Sequence, residues 1–157
     1  YGRYAKEVLA HYPGETPAEL EQAGVQFVTD AWFDHPARQL LEGMQQVASP
    51  AFQYDFAKSN SRNPGLGAPH AIELRYVFNT LNNTDEFPEN KVLAHKVMNY
   101  WIQFAKTGNP NSPGLPRWPE YTMSRNRYLI FDDEITIEKD LRKRVSDALD
   151  AVTEGIY

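Results

Sequence analysis

Apolar positions along the first fifty residues recur at helical spacing. From Arg3 to Tyr12, residues Tyr4, Val8 and Leu9 form one face of a short helix, which Pro13-Gly14 ends. Thr16-Pro17 reads as an N-cap followed by proline at the first helical position, opening a second helix through Glu19 and Leu20 toward Gly24. Between Asp30 and Ala48, residues Phe33, Ala37, Leu40, Leu41, Met44 and Val47 return mostly at intervals of three and four. That spacing predicts a third helix, regular from near Pro36 and closed by Ser49-Pro50.

The period then changes to two. Phe52-Gln53-Tyr54-Asp55-Phe56 alternates aromatic and polar residues, the pattern of a strand. A turn-rich stretch from Ser59 to Pro69, with Pro64-Gly65 at its centre, leads to His70, and Ile72 to Phe78 follows as a short apolar helical turn. Asn82 to Asn90 is polar, contains Pro88 and reads as a loop. Lys91 to Lys106 carries the widest helical stripe, with Val92, Leu93, Val97, Tyr100, Trp101, Phe104 and Ala105 on one face. Gly108 just beyond it suits a left-handed cap. Pro110, Pro113, Pro116 and Pro119 make the next stretch an extended connector. Tyr128 to Phe131 predicts a strand, Ile135 and Ile137 a second short strand or edge, and Leu141 to Val152 a charged terminal helix. The order is an α/β pattern, helix-rich, with too few strands for a complete sheet. Part of a larger domain fits it better than a finished small one.

Composition narrows the function classes. The chain has 157 residues, 41% hydrophobic and 13% aromatic, which favours a packed core over disorder. The net charge of −5 comes from acidic and basic residues mixed along the chain, so there is no basic footprint for nucleic acid. No apolar run approaches the roughly 20 residues of a membrane helix. Cysteine is absent, which removes disulfides, thiol catalysis and cysteine-ligated zinc and is compatible with a reducing compartment. Asn82-Asn83-Thr84 matches an N-glycosylation acceptor, which matters only in a secreted protein. Arg142, Lys143 and Arg144 read as a solvated face of the terminal helix.

Four histidines are the candidates for chemistry. His11 lies before a Pro-Gly turn and reads as a surface residue. His35 precedes Pro36 and reads as structural, and His95 sits at the rim of the long helical stripe. His70 differs by context, because it follows the loop Pro64-Gly65-Leu66-Gly67-Ala68-Pro69, and loops held by a rigid scaffold are where catalytic groups gather. A neutral imidazole there takes a proton from a serine and returns it to a leaving alcohol. The pair His70 and Glu73, at i and i+3, could face one metal. A metal needs three or four ligands, and no second pair with such spacing appears. Glu73 otherwise reads as a partly buried carboxylate, or as one that orders the loop presenting His70.

The residues around His70 resemble a known family. Gly67-Ala68-Pro69-His70-Ala71-Ile72-Glu73-Leu74-Arg75-Tyr76-Val77-Phe78 is similar to the catalytic-histidine segment of the type-B carboxylesterase and cholinesterase family. The run from Met98 to Asn111, with Trp101, Phe104-Ala105 and Thr107-Gly108-Asn109-Pro110-Asn111, resembles the end of that family's late helix. Trp118-Pro119-Glu120-Tyr121 follows at the expected place, and Asp30, Phe33 and Pro36 match an upstream Asp-x-x-Phe-x-x-Pro element. Motif order and spacing agree over nearly the whole chain. Ala71 and the stretch Glu134 to Glu138 resemble bacterial para-nitrobenzyl-esterase-like members, and Asp34-His35 replaces a cysteine of many secreted members. This leans toward a cytoplasmic bacterial protein.

The resemblance implies that residues 1–157 are the C-terminal part of one α/β-hydrolase domain, holding a few strands of its central sheet. It implies ester hydrolysis by a Ser-Glu/Asp-His triad with His70 as the base, Glu73 as a support and no metal or organic cofactor. No Gly-x-Ser-x-Gly occurs in the chain. The nucleophile, the triad acid and the glycine-rich oxyanion loop are expected upstream of Tyr1, in keeping with the order nucleophile, acid, histidine. The partners implied are a small-molecule ester and the remaining N-terminal part of the domain, with no nucleic acid and no membrane. The chain alone is expected to be inactive, as a truncation, a cleavage product or one half of a split protein. The alternative is a non-catalytic binding or adhesion module, which need not retain His70 or Glu73.

Overall fold

The computed structural model describes residues 1–59, 67–81 and 88–154. The Asn82-Asn83-Thr84 acceptor and the Pro64-Gly65 loop centre lie outside the described residues. The chain divides into two units, one formed by residues 1–48 and 140–157, the other by residues 49–139.

The first unit is helical. A 3-10 turn, Gly2–Tyr4, runs into helix α1, Ala5–Leu9. Of the three apolar residues expected to face inward, Val8 is buried and Tyr4 packs against the core, while Leu9 is exposed. Helix α2, Pro17–Thr29, starts as the Thr16-Pro17 signal predicts. The Thr16 hydroxyl accepts from the Glu19 N–H, and the Glu19 carboxylate accepts from the Thr16 N–H at 2.9 Å, closing a reciprocal capping box. The helix does not stop at Gly24, because one interior glycine costs less than the hydrogen bonds of a further turn. A π-helical turn, Asp30–Asp34, then leads into helix α3, His35–Met44, with Pro36 in its first turn. The helical spacing from Asp30 onward is correct, but its expected inward face is not: Leu40 is 74% exposed, Val47 54% and Phe33 40%.

Helix α6, Lys143–Glu154, closes this unit. Its Val145, Leu149 and Val152 pack with Val8, with Tyr4, Tyr12 and Phe27 around them. Beside this thin core lies a buried ionic knot. Asp30, 1% exposed, accepts from the Tyr12 hydroxyl at 2.8 Å, the Gln26 amide at 3.0 Å and the Arg142 guanidinium at 2.8 Å, with a second Arg142 contact on its other oxygen. Burial alone would push the Asp30 carboxyl up. The donors from Arg142, Tyr12 and Gln26 overcome it and hold Asp30 below the usual carboxylate range. Arg142 is therefore no solvated face residue, as its sequence context suggested. It sits ahead of α6 at φ +47, bound to a carboxylate 112 positions earlier. Lys143 pairs with Asp147 one turn on at 2.7 Å.

The second unit contains a three-stranded sheet of β1, Tyr54–Phe56, β2, Arg127–Phe131, and β3, Ile135–Lys139. β2 is central, parallel to β1 and antiparallel to β3. A parallel pair needs a long crossover, and residues 57–126 supply it with helices α4, Leu74–Val77, and α5, Pro88–Thr107. Helix α5 begins at Pro88 instead of Lys91, because proline has no N–H to leave unpaired in a first turn. Its buried face is Leu93, Ala94, Val97 and Tyr100, while Val92 and Phe104, predicted on the same stripe, are exposed. Gly108 caps it at φ +73, its N–H bonded to the Phe104 carbonyl at 2.7 Å.

Aromatic packing holds this unit together. The buried Trp118 ring meets Tyr54, Tyr100, Trp101 and Phe131 at centroid distances of 5.9, 5.4, 5.6 and 5.4 Å. Its indole N–H donates to the Gln53 carbonyl at 2.8 Å. The proline-rich connector reaches this position because Asn111 bonds the Trp118 backbone from both its amide atoms, at 2.7 and 2.9 Å. Tyr100 donates to the Pro116 carbonyl, and burial pushes its phenol up to about 12. Among the described residues, no helix is long and apolar enough to cross a membrane.

Candidate active site

His70 stands at a corner between the described end of the turn-rich loop and α4. The Pro69 carbonyl accepts the Ile72 N–H at 3.1 Å, so His70 and Ala71 are the two central residues of a β-turn. Ala71 has φ +64, and His70 does not share that positive φ. A left-handed residue at the second central position alone marks a type II turn, where glycine or asparagine is usual. The chain passes directly from this corner into helical bonding. Leu74 N–H reaches the Ala71 carbonyl at 3.3 Å, Arg75 reaches Ile72 at 3.2 Å and Tyr76 reaches Glu73 at 2.9 Å.

The base of this segment is anchored to the sheet. Tyr76 of α4 is buried in the aromatic core, its ring 4.8 Å from that of Phe56 on β1. His70 itself is exposed at the tip. An exposed imidazole on a short corner with an anchored base can meet a reacting group without first moving its backbone.

Glu73 is partly buried at the N-cap of α4, as expected. It lies toward the sheet, where its charge is felt by Tyr54 of β1: burial pushes the Tyr54 phenol up, and the Glu73 carboxylate adds to that. His70 lies in the turn and Glu73 at the helix start, so they are not stacked on one helical face as i, i+3 spacing on a helix would place them. Among the described residues, no group of three or more histidine, aspartate or glutamate side chains is arranged to hold a metal ion.

The other histidines fall in different settings. His35 is buried in the helical unit, its Nε2 3.7 Å from an Asp150 oxygen, in keeping with a structural role. His95 is exposed on α5. His11 lines a cleft of about 530 Å³ with Asp140, Arg142, Lys143 and Arg144. Sequence reasoning passed over Asp55, half-buried on β1, whose carboxyl is pushed up by burial and then by the nearby Asp132. The alternation that defines β1 places it opposite the aromatic side chains, a position open to a polar residue.

Comparison with known proteins finds a family match and several relatives. The family model described as "Carboxylesterase family" matches residues 2–148. The chain is 35% identical over 142 residues to the para-nitrobenzyl esterase of Bacillus subtilis (strain 168), covering 87% of this chain and 28% of that protein. It is 32% identical over 147 residues to the acylcarnitine hydrolase of Rattus norvegicus, covering 87% and 26%. It is 29% identical over 145 residues to carboxylesterase 5A of Canis lupus familiaris, covering 85% and 25%. The chain spans about a quarter of the length of the curated relatives it matches.

Proposed function

The chain belongs to the carboxylesterase family, and from that premise we propose that it supplies the catalytic histidine, His70, of a serine-dependent ester hydrolase. The observation that carries this reading is the position of His70, exposed on a type II turn whose base is pinned in the aromatic core. The nucleophilic serine and the triad acid belong to the rest of the domain, which makes these residues the C-terminal part of an α/β-hydrolase fold.

Two features of the chain support that division. Gln53 and Asp55 flank the Tyr54 to Leu129 pairing, with the Leu129 N–H on the Gln53 carbonyl at 3.0 Å and the Ala57 N–H on the Phe131 carbonyl at 3.0 Å. Odd-numbered residues of β1 thus bond to β2, so the backbone groups of Tyr54 and Phe56 face away from it. No strand among the described residues pairs with that edge. Parallel strands normally sit inside a larger covered sheet. In the helical unit, Trp32 and Leu40 are also large apolar side chains left mostly exposed, at 72% and 74%.

In the proposed mechanism the neutral His70 imidazole takes the serine proton as the oxygen attacks the ester carbonyl. The imidazolium then protonates the leaving alcohol. A water molecule repeats the cycle on the acyl-enzyme and releases the acid. Glu73 supports the segment from the sheet side, beside Tyr54, and is not the triad acid. The substrate is a small-molecule ester, and the reaction uses no metal or organic cofactor.

In the complete domain, His70→Ala is expected to lower ester turnover at least about a thousandfold, with an unchanged thermal transition. Near-normal hydrolysis by that variant sinks the assignment. A serine-directed organophosphate probe is expected to label the complete domain and not the 157-residue chain.

A further inference from the structure

Helix α3 is built inside out. Its polar side meets α6 of the same unit. His35 is buried at the helix start, with Nε2 3.7 Å from an Asp150 oxygen. The Arg38 guanidinium, on a side chain 14% exposed, reaches Asp147 at 2.8 Å and the Lys143 carbonyl at 3.1 Å. The apolar side is the one left to water. Ala37, Leu40 and Met44 stand at intervals of three and four, the spacing of one helical face, and Val47 follows just past the helix end. Ala37 is exposed, Leu40 is 74% exposed, Met44 is half-buried and Val47 is 54% exposed.

A surface helix normally does the reverse, burying its apolar stripe and turning its charges outward. The contacts with α6 keep this one from rolling over, because rolling would take Arg38 off Asp147 and the Lys143 carbonyl. No charge interrupts the stripe, since Arg38 and Glu42 pair with each other at 2.8 Å on the polar side. A cover for it must therefore be apolar. Two observations identify the source. The chain spans about a quarter of the length of its curated relatives, so most of a domain of this family is left to provide the cover. In the sheet unit, taken by itself, no strand among the described residues pairs with the second edge of β1. The remainder of the domain therefore brings strands, and strands of a parallel sheet are apolar on both faces and covered by helices.

We propose that the side of α3 bearing Ala37, Leu40, Met44 and Val47 is a docking surface, and that its occupant is the apolar face of strands from the part of the domain upstream of Tyr1. The inference rests on the reading of the chain as the C-terminal part of an esterase domain, and it assigns the face through which the helical unit is joined to the rest. The ionic contacts with α6 set the outward direction of the stripe, and its removal from water drives the docking.

The test uses the complete domain with photoreactive benzoylphenylalanine in place of Leu40, as an equal mixture of isotopically light and heavy protein. Irradiation is expected to cross-link position 40 within one molecule, to an apolar strand upstream of Tyr1. A cross-link joining light to heavy protein would put a second copy on the stripe, and one to residues 1–157 of the same molecule would mean that the chain covers itself. Either overturns the proposal, as does the absence of any cross-link, which would leave the stripe in water. Leu40→Asp is expected to lower the thermal transition of the complete domain by several degrees, and Leu40→Met to leave it near the parent's. A parental transition in Leu40→Asp also overturns the proposal, and the cross-link decides alone if that variant does not fold. His70→Ala separates the two levels. If it retains turnover, the functional reading fails and the cross-link still reports on α3; if it abolishes turnover while the cross-link maps elsewhere, only the docking surface fails.

Discussion

The two units reach stability by different physics, although each is built from fewer than a hundred residues. The sheet unit relies on interlocked rings. Trp118, Tyr54, Tyr100, Trp101 and Phe131 meet mostly edge-to-face, and the polar end of each buried Trp118 and Tyr100 ring finds a backbone carbonyl. The helical unit buries only a short row of aliphatic side chains and places one carboxylate among three donors beside it. Ring packing is indifferent to pH and spreads its energy over many contacts. The Asp30 knot concentrates a large local energy in one proton-sensitive group. The difference teaches where function can be carried: the turn bearing His70 is rooted in the unit held mainly by ring packing and not by a buried ion pair.

That contrast can be broken at several points. The largest effect is expected for Trp118→Ala, which empties the centre of the aromatic cluster and leaves the Gln53 carbonyl without its indole donor. Loss of about 3–5 kcal/mol should appear in urea denaturation followed by hydrogen exchange of the β1 and β2 amides. A loss below about 1 kcal/mol would mean that the cluster closes over the gap.

Next is Arg142→Ala, which strands the buried Asp30 carboxylate. Removing one partner of a buried pair costs about 3–5 kcal/mol, and the partial exposure of Arg142 places the expectation at about 3 kcal/mol. Asp30→Asn should cost less, because it leaves no unpaired buried charge and Arg142 can turn to water. Equal losses in the two variants would show that shape, not charge, holds the helices.

Acid should then separate the units by sign. Asp30 is held low, so its contribution is present above the unfolded carboxylate value of about 3.9 and is lost as pH falls from there through its folded value. Asp55 is pushed up, so its contribution is full below about 3.9 and lost as pH rises through its folded value. On acidification through pH about 4, amide protection in the helical unit is expected to fall before that of the sheet unit. Simultaneous loss in both would remove the distinction. The smallest effect is expected for Thr16→Ala, which opens the capping box of α2 at a cost of about 1 kcal/mol, read as a small shift in the thermal transition.

Much of this was readable along the chain. Thr16-Pro17 located the start of α2, the alternation at Phe52 to Phe56 located β1, and Gly108 located the end of α5, because caps and periods are local and need no partner. His70 and Glu73 were singled out through the motif around them. The sequence was misleading wherever a residue's role depends on what lies across from it. Arg142 looked solvated because its partner is 112 positions away, and Leu40 looked buried because spacing reports a face without saying what covers it.

Local chemistry thus determined where α2 and β1 begin, where α5 ends and which loop carries the candidate base. Only the tertiary structure decided that β1 runs parallel to β2, that Asp30 gathers three donors, and that Ala71 holds a left-handed corner between His70 and an anchored helix. Pairing, burial and a strained φ arise from contacts between distant segments, and a linear pattern of residue types contains no term for them.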